Sequence, residues 1–154
     1  MTQYSQSGGD PRPIIPKLGR YYRLTSDIAY LIVRVTVGLL LIPHGWTKVV
    51  TGITGISGSF TRIHLEPALL FTIVSMFNET IGGVMIAIGL ITRPIAALLV
   101  IEFLTLLFWV HFPRGYSQAV VGAEFPLLWL LMLVAVMLRG GGPYSLDRKI
   151  GREI

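Results

Sequence analysis

Seven ionisable residues lie in or near the ends of apolar stretches long enough to cross a bilayer: Arg34, His44, Lys48, Glu79, Glu102, His111 and Glu124. A charge at the bilayer centre costs about 2.5–3.5 kcal/mol on insertion scales, so such residues are normally paired, protonated or turned toward a polar interior. Carboxylates held there can exchange protons, and basic groups can bind a polar ligand. The candidate catalytic residues are therefore Glu79 and Glu102, and the candidate substrate-binding residues are Arg34, His44, Lys48 and Glu124.

The residues nearest the midplane allow two interpretations. At about 1.5 Å of rise per helical residue, Arg34, Glu79 and Glu102 fall at similar depths. Arg34 is expected to pair with Glu79 or Glu102, and on the simpler interpretation this pair only fixes helix register. Two carboxylates against one arginine leave a surplus negative charge. On the second interpretation one acid is therefore protonated, and it exchanges protons or faces a quinone.

Three other residues lie nearer the predicted outer face. His44, Lys48 and Glu124 are expected to converge on a polar pocket there, which either receives an anion or a quinone carbonyl or is closed by its own salt bridges. His44 and His111 are expected to make interfacial hydrogen bonds. Two histidines without a spacing motif do not predict haem, and no metal site is predicted. His111 is nine residues from Glu102, so the two face opposite sides unless the helix is distorted.

Composition assigns these residues to a membrane protein. The 154-residue chain is 53% hydrophobic and 14% charged, whereas soluble domains carry about 25% charged residues. The net charge of +5 does not indicate nucleic-acid binding, because the basic residues flank the apolar segments instead of covering one face. Cysteine is absent. Disulfides, catalytic thiols and cysteine-ligated iron–sulfur centres are therefore excluded within this chain.

Four apolar segments, each near the roughly 20 residues needed to cross the hydrocarbon core, predict an all-α four-helix membrane bundle. The predicted spans cover residues 27–46, 68–91, 94–112 and 121–139. They form one domain, 27–139, between a polar cytoplasmic tail, 1–26, and a C-terminal cytoplasmic tail, 140–154.

The predicted connections differ in length. A flexible glycine-containing loop joins the first two spans over residues 45–67, and a short helical piece within it is compatible with the sequence. Residues 92–94 form a tight turn, with Pro94 at the first position of the third helix. The glycine run 140–142 ends the fourth helix.

The distribution of lysine and arginine predicts the orientation. Three basic residues fall on one side: Lys48, Arg62 and Arg114. Nine fall on the side of the two termini: Arg12, Lys17, Arg20, Arg23, Arg93, Arg139, Arg148, Lys149 and Arg152. Because basic residues are retained on the cytoplasmic side, both termini are predicted to be cytoplasmic.

Small residues predict which helix faces are buried. One stripe of the first helix carries Arg34, Gly38, Leu41, Gly45 and Lys48. On the second helix Ser75, Gly82 and Gly89 repeat every seven residues, with Glu79 adjoining. Small residues let membrane helices approach closely, so Glu79 is expected to point into the bundle and its neighbour Asn78 to hydrogen-bond between helices. On the third helix Glu102 shares a face with Thr105 and Trp109.

The local patterns resemble those of the DoxX family over about residues 26–147. They are Arg34-x3-Gly38-x5-His44-Gly45-x2-Lys48, then Glu79-x2-Gly82-Gly83, then Gly89-Leu90-x-Thr92-Arg93, and finally Glu124 with an apolar run before Gly140-Gly141-Gly142-Pro143-Tyr144-Ser145-Leu146-Asp147. The resemblance implies a four-helix bacterial inner-membrane protein. The founding member is the small membrane subunit of a thiosulfate:quinone oxidoreductase, and relatives are proposed to join redox or detoxification complexes. The resemblance covers Arg34, His44, Lys48, Glu79 and Glu124, whereas Glu102 and His111 are chosen from depth and chemistry.

Three functions are compatible with these features. The first is a non-autonomous membrane subunit of a quinone-linked oxidoreductase, which needs a protein partner to supply electrons because the chain has no dinucleotide-binding motif and no cysteine. The second is a non-catalytic scaffold that anchors a partner enzyme. The third is a small proton-coupled transporter, although no inverted repeat is convincing. A homo-oligomer is compatible with all three.

Overall fold

The computed structural model describes residues 14–15, 18–117 and 122–151, and the regular structure within these ranges is entirely helical. Arg12, Lys17 and Arg152, which the orientation prediction uses, lie outside them. The predicted all-α class is confirmed. In chain order the elements are α1 (Leu18–Thr51), α2 (Ile53–Arg62), α3 (Ala68–Phe77), a first π-helical segment (Asn78–Gly82), α4 (Gly83–Ile88), α5 (Thr92–Thr105), a second π-helical segment (Leu106–His111), a 3-10 turn (Phe112–Arg114), α6 (Glu124–Arg139) and α7 (Leu146–Ile150).

Three continuous helical stretches are long and apolar enough to cross a membrane: Thr25–Thr51, Ala68–Ile88 and Thr92–Arg114. They contain the first three predicted spans, apart from the last residues of the second. Helix α6 has 16 residues, fewer than the roughly 20 that cross a hydrocarbon core. Large apolar side chains on all of these helices are exposed, among them Leu39, Leu69, Ile101 and Leu138. A surface of this kind is suited to lipid, and the chain is a membrane protein.

Several helix ends differ from the predicted span boundaries. Helix α1 begins at Leu18, within the segment predicted as a tail, and continues to Thr51, beyond the predicted end of the first span near residue 46. The predicted loop contains the ten-residue helix α2, which is the short helical piece that the sequence allowed there. The turn between the second and third spans lies at 89–91, where Gly89 and Ile91 have φ of 72° and 48°. Pro94 is consequently the third residue of α5, not the first. The end of α6 at the glycine run is confirmed.

Glycines determine how closely α1 approaches the second span. A Cβ on Gly38 would lie 2.5 Å from the backbone nitrogen of Ala87, and one on Gly45 would lie 2.6 Å from the backbone nitrogen of Thr80. The backbones are therefore in direct contact, as small residues permit in membrane helix pairs. These contacts confirm the buried stripe predicted for α1. Since Gly45 faces Thr80 while Gly38 faces Ala87, the two helices are antiparallel.

The remaining core lies between α5 and α6. Leu99 of α5 and Leu133 of α6 have no exposed surface, and Phe103 stacks on Trp129 with ring centroids 5.9 Å apart. These apolar contacts place α5 beside α6, and another side of α5 contacts the first π-helical segment and α4. The polar residues described next lie on that side.

Candidate functional site

A charged cluster lies between α1, α3 and α5, with the first π-helical segment running through it. It consists of Lys48, Ser75, Asn78, Glu79 and Glu102 and is called the acidic cluster below. The Lys48 ammonium lies 2.7 Å from Glu79 Oε1 and 3.9 Å from Glu102 Oε1, and it also donates to Ser75 Oγ. Asn78 Nδ2 donates to Glu102 Oε2 at 3.0 Å, which confirms the interhelical hydrogen bond predicted for Asn78.

The cluster is buried and its hydrogen bonds are incomplete. The side chains of Glu79 and Glu102 are 5% and 8% exposed, and that of Lys48 is 19% exposed. Glu79 Oε2 and Glu102 Oε1 are buried without a hydrogen-bond donor. Counted as ionised, two carboxylates and one ammonium give a formal charge of −1. Because a buried polar atom without a partner costs about 1–3 kcal/mol, a proton or a ligand that satisfied these atoms would stabilise the site.

The structure contradicts the expected pairing of Arg34 with Glu79 or Glu102. Lys48 takes that position instead. The reason is helix register: α1 continues to Thr51, and its contacts with the second span place Lys48 opposite Ser75, near the middle of Ala68–Ile88. Arg34 lies 14 residues earlier, about 21 Å along the helix. The prediction that Glu79 points into the bundle is confirmed.

Arg34 belongs to a second buried cluster, at the turn between the second and third spans. Its Nη1 donates to the carbonyls of Ile86 and Ala87 at 2.7 and 2.8 Å, and its Nη2 donates to the carbonyl of Tyr144 at 3.0 Å. Its Nε is buried without a partner. The carbonyls at the end of a helix lack partners within it, and a cation there also opposes the negative end of the helix dipole. Arg34 thus closes the end of α4.

Asp147 closes the start of the next helix. Its Oδ1 accepts from the backbone N–H of Ile91 at 2.6 Å, and its Oδ2 accepts from the backbone N–H and the hydroxyl of Thr92 at 3.0 and 2.7 Å. The Asp147 N–H donates to the carbonyl of Gly89 at 2.9 Å. A carboxylate at a helix N-terminus satisfies free N–H groups and favours the dipole. Arg34, Thr92, Tyr144 and Asp147 are called the turn cluster below.

The expected convergence of His44, Lys48 and Glu124 is contradicted at Lys48, whose ammonium is directed to Glu79 and Glu102. His44 and Glu124 are both exposed residues. The His44 ring contacts Trp129 edge-on, with centroids 6.2 Å apart. Because α1 is displaced along the second span relative to the prediction, His44 lies beside the level of Glu79 and not in an outer layer with Glu124.

From the sequence, His111 and Glu102 were expected to face opposite sides of the third span unless the helix is distorted between them. Such a distortion is present. The second π-helical segment runs through Leu106–His111, and His111 is half-buried at its end. π-helical turns are rare and often occur at functional sites. The first π-helical segment contains Asn78 and Glu79 themselves. The first distortion lies within the acidic cluster, and the second begins four residues after Glu102, so each helix that supplies a carboxylate is distorted near it.

An apolar pocket of about 90 Å³ reaches the acidic cluster from the side of α2, α3 and α5. Its polar lining is Ser75, Glu102 and Thr105. The other lining residues are apolar: Phe60, Leu65, Phe71, Val74, Leu98, Ile101 and Leu106. Val74, Leu98 and Ile101 are also exposed on the apolar surface, so the pocket lies next to the lipid. The shared face of Glu102 and Thr105, predicted from spacing, is confirmed by this lining.

Two cofactor types can be compared with the residues present. Within the described ranges, no three His, Cys, Asp or Glu side chains are grouped so that they could hold a metal ion. The pocket combines an apolar lining with the Glu102 carboxyl group, but at about 90 Å³ it is smaller than the roughly 150 Å³ apolar cavity that admits benzene, so a quinone ring would enter only if side chains at its rim moved. The residues that sequence reasoning left without a site role are Ser75 and Asp147. Ser75 lies on the small-residue stripe of the second helix, and Asp147 ends the Gly-Pro-x-Ser-Leu-Asp run of the C-terminal tail. Neither pattern indicates which group the side chain would hydrogen-bond to.

Comparison with known proteins identifies relatives. The family model described as DoxX matches residues 29–112, which include Arg34, Lys48, Glu79 and Glu102. The chain is 29% identical over 121 residues to a Bacillus subtilis protein named "Putative oxidoreductase CatD", covering 79% of this chain and 86% of that protein. It is 28% identical over 123 residues to an uncharacterized protein of Haemophilus influenzae, covering 78% and 89%. No solved structure matches the chain.

Proposed function

The chain belongs to the DoxX family, and from this premise we propose that it is a membrane subunit of a quinone-linked oxidoreductase complex, of the thiosulfate:quinone type or a related redox or detoxification type. The observation that carries the proposal is a buried cluster with one carboxylate more than its ammonium can neutralise, at the end of an apolar pocket beside lipid. The name of the Bacillus subtilis relative agrees with a redox role.

The proposed chemistry of the site is proton exchange. A quinone takes up two electrons and two protons to become a quinol, and the reverse reaction releases them. In this scheme Glu102 and Glu79 pass protons to or from the ring oxygens, and Lys48 holds the two carboxylates in place. The electrons pass to or from a redox group on a partner protein. A partner is required because the chain contains no cysteine for a cluster and no dinucleotide-binding motif.

The proposed topology is four spans in a bacterial inner membrane, with both termini cytoplasmic. Helix α6, at 16 residues, covers about 24 Å. It packs along α5 and exposes Leu128, Leu131 and Leu138 as a lipid-facing helix does. The nine-to-three distribution of basic residues supports the orientation. Reporter fusions after Ile154 and at Gly58 should lie on opposite sides of the membrane, and a periplasmic C-terminus would refute this topology.

The functional test is purification of the complex in mild detergent, followed by lipid extraction and an assay of electron transfer to or from a soluble quinone analogue. Glu102→Gln and Glu79→Gln should each lower the transfer rate about 100-fold, the lower end of what a proton-transferring group contributes. Glu66→Gln is the matched control, because Glu66 is an exposed acid whose oxygen only accepts from the N–H of Ala68. Unchanged rates in both buried-acid variants would contradict the proposal.

A scaffold is the second candidate function, and one observation favours it. A shallow groove of about 650 Å³ beside the turn cluster is lined by Ile88, Pro143, Tyr144, Ser145, Leu146, Arg148 and Lys149. A basic and partly apolar groove of this size can receive part of a partner protein. If a stoichiometric partner co-purifies without quinone, and both buried-acid variants retain it and its activity, the scaffold replaces the oxidoreductase subunit.

A further inference from the structure

In the acidic cluster the hydrogen-bond donors have partners, whereas two of the acceptors do not. Lys48 donates to Glu79 and Ser75, and Asn78 donates to Glu102. The Ser75 hydroxyl keeps a proton of its own, and Glu102 is the neighbouring acceptor for it. The donors are thus directed to partners within the cluster. The two buried atoms left without a partner, Glu79 Oε2 and Glu102 Oε1, are both acceptors. A ligand that completes this site must therefore bring hydrogen-bond donors.

Of the two carboxylates, Glu102 is the one that lines the pocket. Its side chain is 8% exposed and its Oε1 has no donor, while the nearest cation, Lys48 Nζ, is 3.9 Å away. The hydroxyl protons of the other polar groups in the lining are directed to neighbours in the protein. Ser75 Oγ accepts from Lys48 and its own proton faces Glu102, and the Thr105 hydroxyl donates to the carbonyl of Ile101 at 3.0 Å. Glu102 is consequently the polar group in the lining with capacity left for a ligand.

The remaining lining is apolar and limits the size of the ligand. The pocket of about 90 Å³ is bordered by Phe60 and Phe71, and it is smaller than the roughly 150 Å³ apolar cavity known to admit benzene. A single ring can enter edge-first with displacement of side chains at the rim, where Val74 and Leu98 are already exposed. Larger fused rings require a much greater change.

We infer that this pocket binds the reduced, hydroxyl-bearing form of an aromatic ligand, a quinol or a phenol, in preference to the quinone, with the ligand O–H donating to Glu102. The inference rests on the proposed function, from which it takes the ligand class of quinones and quinols. It adds which redox form of that ligand binds. A quinone offers only carbonyl oxygens. Against an ionised Glu102 those oxygens bring two acceptors together, whereas a quinol hydroxyl makes a hydrogen bond to a charged group.

A shared proton is the competing explanation for the two bare acceptors. A proton held between Glu79 Oε2 and Glu102 Oε1 would satisfy both atoms without a ligand. An acid protonated in this way could also donate to a quinone carbonyl. It would therefore give the opposite preference, for the quinone over the quinol. The two explanations are separated by which redox form binds more tightly.

The test uses the full chain in lipid nanodiscs and fluorine NMR of two probes of similar size, 4-fluorophenol and 4-fluorotoluene. A methyl group replaces the hydroxyl in the second probe and so removes the donor, and partition into empty nanodiscs corrects for lipid affinity. The phenol should bind at least about tenfold more tightly, since a hydrogen bond to a charged group contributes about 1.5–3 kcal/mol. Under anaerobic conditions, trimethylhydroquinone should displace the phenol at a concentration at least about tenfold lower than trimethyl-1,4-benzoquinone does.

Two variants and one control test whether the preference for the phenol depends on Glu102 and on this pocket. Glu102→Gln should remove most of the preference for the phenol, because its neutral amide is a weaker acceptor and adds a donor that suits a quinone. Leu98→Trp fills the pocket without changing either acid, and it should abolish phenol binding even if Glu102→Gln folds poorly. Glu66→Gln should bind as the unaltered chain does.

The outcomes separate this inference from the proposed function. Equal binding of 4-fluorophenol and 4-fluorotoluene, tighter binding of the quinone, or no binding of either probe would overturn the inference. Electron transfer by the purified complex would then still support the proposed function. A donor preference that depends on Glu102, without electron transfer to any partner, would support the inference as a phenol-binding site and remove the oxidoreductase role.

Discussion

The acidic cluster and the turn cluster are both buried and charged, but they differ in net charge and in what their charged groups contact. Arg34 and Asp147 give the turn cluster a formal charge of zero, and their hydrogen bonds run mainly to backbone groups at helix ends. The acidic cluster has a formal charge of −1, is held by side chains alone, and retains two unpartnered acceptors.

This difference indicates which buried charges are available for chemistry. Backbone carbonyls and N–H groups at a helix end need partners in any state of the protein, so Arg34 and Asp147 are occupied in closing the turn at 89–91. The carboxylates of the acidic cluster exceed the charge of Lys48 and adjoin a pocket. An ionisable residue within a membrane span is therefore a poor indicator of function until its partners are known. Arg34, a candidate binding residue from sequence, illustrates this.

The largest effect on stability is expected from Lys48→Met. Removing the ammonium leaves Glu79 and Glu102 buried together without a cation, which costs about 3–5 kcal/mol when one partner of a buried pair is lost. Unfolding in a mild detergent titrated with a denaturing one measures the loss. Adding Glu79→Gln to Lys48→Met should restore part of it by removing one negative charge. If the double variant is no more stable than the single one, the charge surplus is not the cause.

Asp147→Ala should lower stability by about 2–3 kcal/mol, because it leaves the partly buried N–H of Ile91 and the buried N–H of Thr92 without an acceptor. The turn cluster is structural in this comparison, so electron transfer per folded molecule should not change. Measuring the folded fraction and the transfer rate on one preparation checks both points. A fall in rate well beyond the fall in folded protein would remove the distinction between the clusters.

Gly38→Ala tests the helix contact that sets the register between the clusters. Its methyl group would meet backbone atoms of Gly83 and Ala87 at 2.5 Å, and overpacking of this kind costs about 1–3 kcal/mol. Gly58→Ala is the matched control, because a Cβ there meets nothing within 4 Å. Thermal unfolding in detergent should separate the two variants. Equal stabilities would show that α1 can shift without cost.

The smallest effect is expected from Asp27→Asn. Asp27 pairs with Arg139 at 3.3 Å, but both side chains are more than 40% exposed, and exposed pairs contribute about 0–1 kcal/mol. The loss in the free energy of unfolding should stay below about 1 kcal/mol in the same assay. This loss should become smaller when salt is added, because salt screens exposed charges. A loss as large as that of Asp147→Ala would mean that formal pairing, and not burial, controls stability at this end of the bundle.

Much of the arrangement was predictable because it depends on local spacing. The stripe from Arg34 to Lys48 is set by the helical repeat, and the structure buries it as expected. The helix faces on which Glu79 and Glu102 lie were predictable for the same reason. The end of α1 was not predictable from glycine content. Gly45 has a weak helix propensity, but its close contact with Thr80 keeps it inside the helix, which continues to Thr51.

The sequence by itself determined that this protein is helical, lies in a membrane, belongs to the DoxX family and buries acids and bases inside its spans. Only the tertiary structure decided which of these groups meet. Pairing depends on the register between α1 and the second span, which the backbone contacts at Gly38 and Gly45 set. That register places Lys48 against Glu79 and Glu102 and sends Arg34 to the helix-end carbonyls. No spacing within one helix encodes the offset between two helices, because it results from the packing of both.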